Sequence, residues 1–156
     1  MKALTLGALG AALLTLGLGA QAQQLDIADQ VKYRQAGYAF MSWNMGKIKA
    51  QVIDGSVPYD AGQVQTAANA IAGIANAGMG ALFSPGSARE DIGEDTRLKA
   101  SFFQNLEEAG RLGKDFNVAA NNLASAAQSG DQAAVKTAFG ALGKSCKACH
   151  DQFRHD

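Results

Sequence analysis

An all-α chain folded as an up-down-up-down antiparallel four-helix bundle is predicted by three observations. Four stretches carry apolar residues at alternating steps of three and four, the spacing that lines one face of a helix packed nearly parallel to its neighbours. From Ile27 onward no stretch alternates apolar and polar residues as a half-buried strand does. The connections between the first and second patterns, and between the third and fourth, are short enough to force antiparallel neighbours.

The first pattern starts at Ile27 and runs through Val31, Arg34, Tyr38, Met41, Met45, Ile48 and Val52, with Arg34 its one charged member. Asp54-Gly55 ends it with a residue suited to the left-handed cap. Pro58-Tyr59-Asp60 opens the second helix, where Asp60 caps and Gln63 completes a capping box. Val64, Ala67, Ile71, Ile74 and Gly78 form its apolar face. From Phe83 to Arg97 the pattern dissolves into Ser84-Pro85-Gly86-Ser87 and a charged stretch, the longest loop of the chain. A third helix is expected from about Leu98 to Gln128, with Phe102, Leu106, Ala109, Gly113, Phe116, Ala120, Leu123 and Ala127 on its seam. Ser129-Gly130 closes it and Asp131 caps the fourth, whose seam is Val135, Phe139, Leu142, Cys146, Cys149 and Phe153.

Ahead of the bundle, Met1-Lys2 is followed by a run of Ala, Leu, Gly and Thr that closes on Ala20-Gln21-Ala22. A charged start, an apolar middle and an A-x-A end describe a secretory signal peptide over residues 1–22. A membrane anchor is the competing reading, and the Gly/Ala richness and the A-Q-A end weigh against it. The expected mature chain is 23–156, one domain, exported to the periplasm and not inserted in the membrane after cleavage. Basic and acidic side chains number 14 each, and losing Lys2 leaves a net charge of −1. Such a balance points away from nucleic acid and anionic membranes as partners.

The two cysteines of the chain fall in Cys146-Lys147-Ala148-Cys149-His150. In an exported protein C-x-x-C-H reads as the covalent attachment site of a c-type haem, one per chain. Residues three apart are neighbours on a helix face, so both thiols reach the vinyl groups of one porphyrin, and His150 follows as the ligand to iron. A redox C-x-x-C pair would want a βαβ setting, which is missing. A zinc site would need His155 as its fourth ligand, off the helical face of His150. A disulfide between Cys146 and Cys149 would be strained on a regular helix. Because both cysteines share the core seam, the porphyrin must enter the bundle.

With these residues placed, the mature chain resembles the cytochromes c′, the class II c-type cytochromes. The likeness lies in Tyr33-Arg34-Gln35, Val57-Pro58-Tyr59-Asp60 and Gly140-x-x-Gly143-x-x-Cys146-x-x-Cys149-His150. Arg34-Gln35-Ala36-Gly37-Tyr38 through Trp43-Asn44-Met45-Gly46 is similar to the members from purple sulfur bacteria. The C-terminal place of the haem motif separates this class from class I. The resemblance implies thioethers at Cys146 and Cys149 and His150 as proximal ligand. It implies haem-edge contacts from Arg34 and Gln35, with the arginine near a propionate, and from Asp95 and Thr96 in the loop. It sets Tyr38 against the distal haem face, and Arg154 as a basic side chain beside the proximal imidazole that tunes the iron's potential. A guanidinium on an apolar seam can pair bidentately with a carboxylate; the bland alternative is that Arg34 snorkels to solvent.

The expected function is that of a non-enzymatic periplasmic haem protein, carrying electrons between redox partner proteins and binding small gases such as NO and CO. A five-coordinate, high-spin iron under a Tyr38 lid goes with it, and a homodimer through Phe40 and Trp43 on the first helix. One alternative is a low-spin, six-coordinate electron-transfer cytochrome with Met41 or Met45 on the iron. A haem peroxidase would need distal acid–base groups, and no histidine precedes His150.

Overall fold

The computed structural model describes residues 25–156. The signal peptide expected over 1–22 lies outside the described residues. Among the described residues there are four long helices: α1 (Ile27–Val52), α2 (Ala61–Ala75), α3 (Leu106–Gln128) and α4 (Gln132–Phe153). Each packs mainly on its neighbours in sequence, α1 on α2, α2 on α3 and α3 on α4, in the up-down-up-down order. The pair α1–α4 closes the bundle and touches least.

Local chemistry sets the helix ends. The Asp26 carboxylate accepts from the Asp29 N–H at 2.8 Å, and Asp131 accepts from the Ala133 N–H at 2.8 Å. Asp60 accepts from the Gln63 N–H at 3.0 Å. The return arm of the expected capping box differs. Gln63 Nε2 donates to the Asp60 carboxylate at 3.0 Å, while the Asp60 N–H donates to Gln51 Oε1 at 2.8 Å. A buried glutamine from α1 thus replaces the local partner and ties the start of α2 to the end of α1. Gly55 (φ +62°) and Gly130 (φ +72°) take the left-handed conformation at the turns after α1 and α3.

The long third helix expected from Leu98 is broken. The segment 76–105 holds 3-10 turns at Met79–Leu82 and Gly93–Asp95 and single helical turns at Arg89–Ile92 and Ser101–Gln104. Residues 97–99 run beside the chain end, where the Lys99 N–H donates to the Phe153 carbonyl at 2.9 Å and the His155 N–H to the Arg97 carbonyl at 2.8 Å. That pairing needs extended backbone, so a helix cannot start there. Asn105 (φ −133°, ψ 47°) leaves the helical region once more before α3 begins. Consequently Leu106, expected on the seam, is 61 % exposed, and Leu112 is buried where Gly113 was expected. Phe102 still packs inward, its ring stacked on Phe83 at 4.8 Å and edge-on to Phe153 at 5.4 Å.

The buried apolar residues fall into two clusters. The main one joins Met41, Ile48, Val64, Ile71, Leu123 and Leu142 among others; the second is Ala109, Leu112 and Phe153. Cys146 packs against the first and Cys149 against the second. A domain of this size ordinarily has one contiguous core. Here the core is divided where the two thiols stand.

Candidate haem-attachment site

Both cysteines lie on α4 as free, half-buried thiols, three residues apart on one face. Burial, the largest cause for each, pushes both thiols above their ordinary pKa, and Cys146 adds to the effect on Cys149. They therefore stay protonated at neutral pH. His150 follows on the same helix, its pKa lowered chiefly by burial and then by the nearby Arg154 and Arg97. Neutral imidazole is the form that binds a metal. Gly143, Cys146 and His150, together with Arg97, Lys99 and Arg154, line an open cleft of about 550 Å³.

Arg154 Nη1 lies 3.3 Å from His150 Nδ1. Arginine can only donate, so Nδ1 accepts in this contact. When Nε2 is the metal-binding nitrogen, Nδ1 carries the proton and Arg154 stands beside it as a fixed cation. Its placement does not come from the helical face, because Arg154 is already extended (φ −121°, ψ 133°).

From α1, Arg34 enters the protein at 4 % exposure, so it does not snorkel to solvent. Its Nη1 donates to the Leu82 carbonyl at 3.1 Å and to Ser87 Oγ at 3.2 Å. Its Nη2 donates to the Ser87 carbonyl at 3.3 Å and to Thr96 Oγ1 at 2.9 Å. The guanidinium also lies over the Phe83 ring at 4.5 Å. Gln35 Nε2 donates to the Asp95 carbonyl at 2.6 Å. Arg34, Gln35, Asp95 and Thr96, drawn from positions about sixty apart in sequence, are thus brought together. The terminal N–H groups of Arg34 are already engaged with the loop, so free bidentate pairing with a carboxylate is not what this geometry offers. Serine 87, fully buried under Arg34, was not legible in the sequence, where it belongs to a featureless turn.

Tyr38 lies one turn beyond Arg34 and leaves 40 % of its surface exposed. Loss of hydration is nevertheless the largest cause pushing its phenol up to about 12, with Cys149 and Cys146 adding and Arg34 opposing. The phenol is therefore neutral at physiological pH and close to both thiols. Met41 is buried in the main cluster and Met45 packs against it, so core packing accounts for both thioethers. Taken together, a divided core with one thiol on each part, a neutral imidazole in the same face and a sparse α1–α4 contact fit a flat, covalently held tetrapyrrole.

Fold and site define a class: c-type haem proteins built on a four-helix bundle with the attachment sequence on the last helix. The comparisons agree. The family model described as Cytochrome C' matches residues 29–154. A cytochrome c′ from Allochromatium vinosum is 48 % identical over 96 % of each chain. The crystal structure of cytochrome c′ from Thermochromatium tepidum superposes with a TM-score of 0.79 at 51 % identity, covering 85 % of this chain and 99 % of that one. A second solved cytochrome c′, with a TM-score of 0.78, 50 % identity and coverage of 85 % and 98 %, is described as having an unusual ligand-controlled dimer dissociation. The chain belongs to the cytochrome c′ family. It is accordingly a c-type haem electron-carrier protein with covalently bound haem c, and its relatives are named as cytochromes rather than enzymes. No helix among the described residues is long and apolar enough to cross a membrane.

Proposed function

We propose that the mature chain, residues 23–156, works in the periplasm as a non-enzymatic haem protein that carries electrons between partner proteins and binds small gases such as NO and CO. In this reading Cys146 and Cys149 hold the haem by thioethers, and His150 is the one protein ligand to iron. Haem c supplies an iron centre that changes oxidation state and takes a small ligand where an axial position is open. The chain's own part is to hold that group, shield it and regulate access to it. The observation that carries the reading is the division of the core at Cys146 and Cys149 on α4, along the helix pair α1–α4 that packs least.

A phenol held neutral is a poor metal ligand, so Tyr38 acts by bulk rather than by coordination. Arg34, Gln35, Asp95 and Thr96 fix the loop that borders the same slot, and through it the haem edge. Related proteins support the gas reading: variants of a cytochrome c′ from Alcaligenes xylosoxidans, 30 % identical, have been solved with nitric oxide and with carbon monoxide bound. The six-coordinate alternative finds no support in the core positions of Met41 and Met45. A homodimer goes with the reading. Phe40 and Trp43 are 48 % and 59 % exposed and pack on each other at 5.4 Å, and Trp43 lines a shallow groove with Ala50, Val57 and Gln63.

Adding CO to the reduced, purified protein tests the gas half of this reading. A saturable change in the visible absorption is expected; a spectrum indifferent to CO and NO at millimolar concentration would leave electron transfer alone.

A further inference from the structure

α4 ends at Phe153, and the residue after it is no longer helical. A helix would carry Arg154 on the face of His150 by itself; an extended residue has its side chain placed by whatever holds its backbone. Here the Arg154 N–H still caps α4 by donating to the His150 carbonyl at 3.0 Å, and beyond that bond the backbone is held by the connector before α3. Leu98 and Arg154 form an antiparallel bridge. It is flanked by the Lys99 N–H donating to the Phe153 carbonyl at 2.9 Å and the His155 N–H donating to the Arg97 carbonyl at 2.8 Å. Side chains reinforce the pair. Arg97 Nε–H donates to the His155 carbonyl at 3.0 Å, and His155 Nε2 lies 3.3 Å from Glu90 Oε1. The other Glu90 oxygen accepts from the Ala100 N–H at 3.0 Å. The residues after α4 are thus tied down by both backbone and side chains.

We infer that Arg97 and His155 are positioning residues, clipping the residues after α4 to the connector so that the Arg154 guanidinium is held beside the His150 ring. The functional consequence rests on the haem reading above. A fixed cation beside the ligating imidazole disfavours the more positive, oxidised site, so a held Arg154 raises the reduction potential and a released one lowers it. The same connector is pinned to α1 by Arg34 and Gln35, so the clip joins the surroundings of His150 to the helix that carries Tyr38.

The informative substitution is His155→Pro in the holoprotein. It removes the backbone donor to Arg97 and the imidazole without adding charge, and the extended Arg154 before it suits a proline. Hydrogen exchange and the reduction potential are read on the parent, His155→Pro, Arg154→Ala and the double variant. Exchange of the Lys99 and Arg154 amides, both hydrogen-bonded in the parent, should speed up tenfold or more in His155→Pro. Its potential should fall in the direction set by Arg154→Ala, with no further fall when both changes are combined. His155→Ala, which keeps the backbone N–H, should give a smaller effect on both readouts. An unchanged exchange rate, an unchanged potential with faster exchange, or a shift of full size in the Arg154→Ala background would each overturn the inference. Failure of the haem reading would show separately, as a protein mass without covalent haem, and the exchange result would still decide whether the clip exists.

Discussion

Cys146, Cys149, His150 and Tyr38 carry the chemistry, and each makes a separate claim. Cys146→Ala or Cys149→Ala should leave at most one thioether, read as haem lost on mild acid extraction or as an altered mass of the bound group, whereas the parent carries one haem per chain. Tyr38→Ala should speed CO association and raise affinity with the haem still attached. Displacing the packed part of a half-exposed ring costs on the order of 1 kcal/mol, a barrier the alanine lacks. A variant that binds CO no faster than the parent would make Tyr38 simple packing. The same phenol makes a pH claim. Its pKa is raised to about 12 in the folded protein, against about 10 unfolded. The native state therefore holds the proton more tightly, and stability present below about pH 10 falls as pH rises towards 12. Unfolding by denaturant across that window should show this fall in the parent and less of it in Tyr38→Phe. The motif residues were legible because their spacing is chemistry in itself. The Arg34 contacts were not, because Ser87 and the Leu82 carbonyl lie about fifty positions away and leave no periodic trace.

Among the elements, α1, α2 and α4 follow their seams and caps, and Asp131→Ala should cost about 1 kcal/mol through loss of the α4 cap. The third helix departs from its seam at the start. Leu98 and Phe102 have the right spacing, yet pairing with the chain end holds 97–99 extended, an arrangement set by residues far away in sequence. Two leucines separate the continuous helix from the broken one. Leu123→Ala, at a fully buried core position, should destabilise by about 2–5 kcal/mol in urea or thermal unfolding. Leu106→Ala, at a position 61 % exposed, should stay within about 0.5 kcal/mol. Equal losses at both would restore Leu106 to the core and contradict the break at Asn105.

For the whole molecule, four seams and short connections were enough to reach the bundle and its order, because helix packing depends on local periodicity that a single sequence displays. The division of the core into two clusters was not readable in that way, since it depends on which helices face each other across the thiols. The exposed Phe40–Trp43 pair suits a symmetric contact between two copies through α1 and α2. Sedimentation should give a dimer at micromolar concentration, weakened by Trp43→Glu, and a monomeric parent would reject that interface. Beneath these claims lies one more central: a single protein ligand at His150 with a neutral, non-coordinating Tyr38 across from it. Electron paramagnetic resonance of the oxidised protein near neutral pH, read with its absorption spectrum, tests this most directly. The expected result is a high-spin ferric signal with axial g-values and the absorption of a five-coordinate c-type haem. A low-spin signal with the spectrum of a six-coordinate iron would contradict it and return Met41 or Met45 to the site.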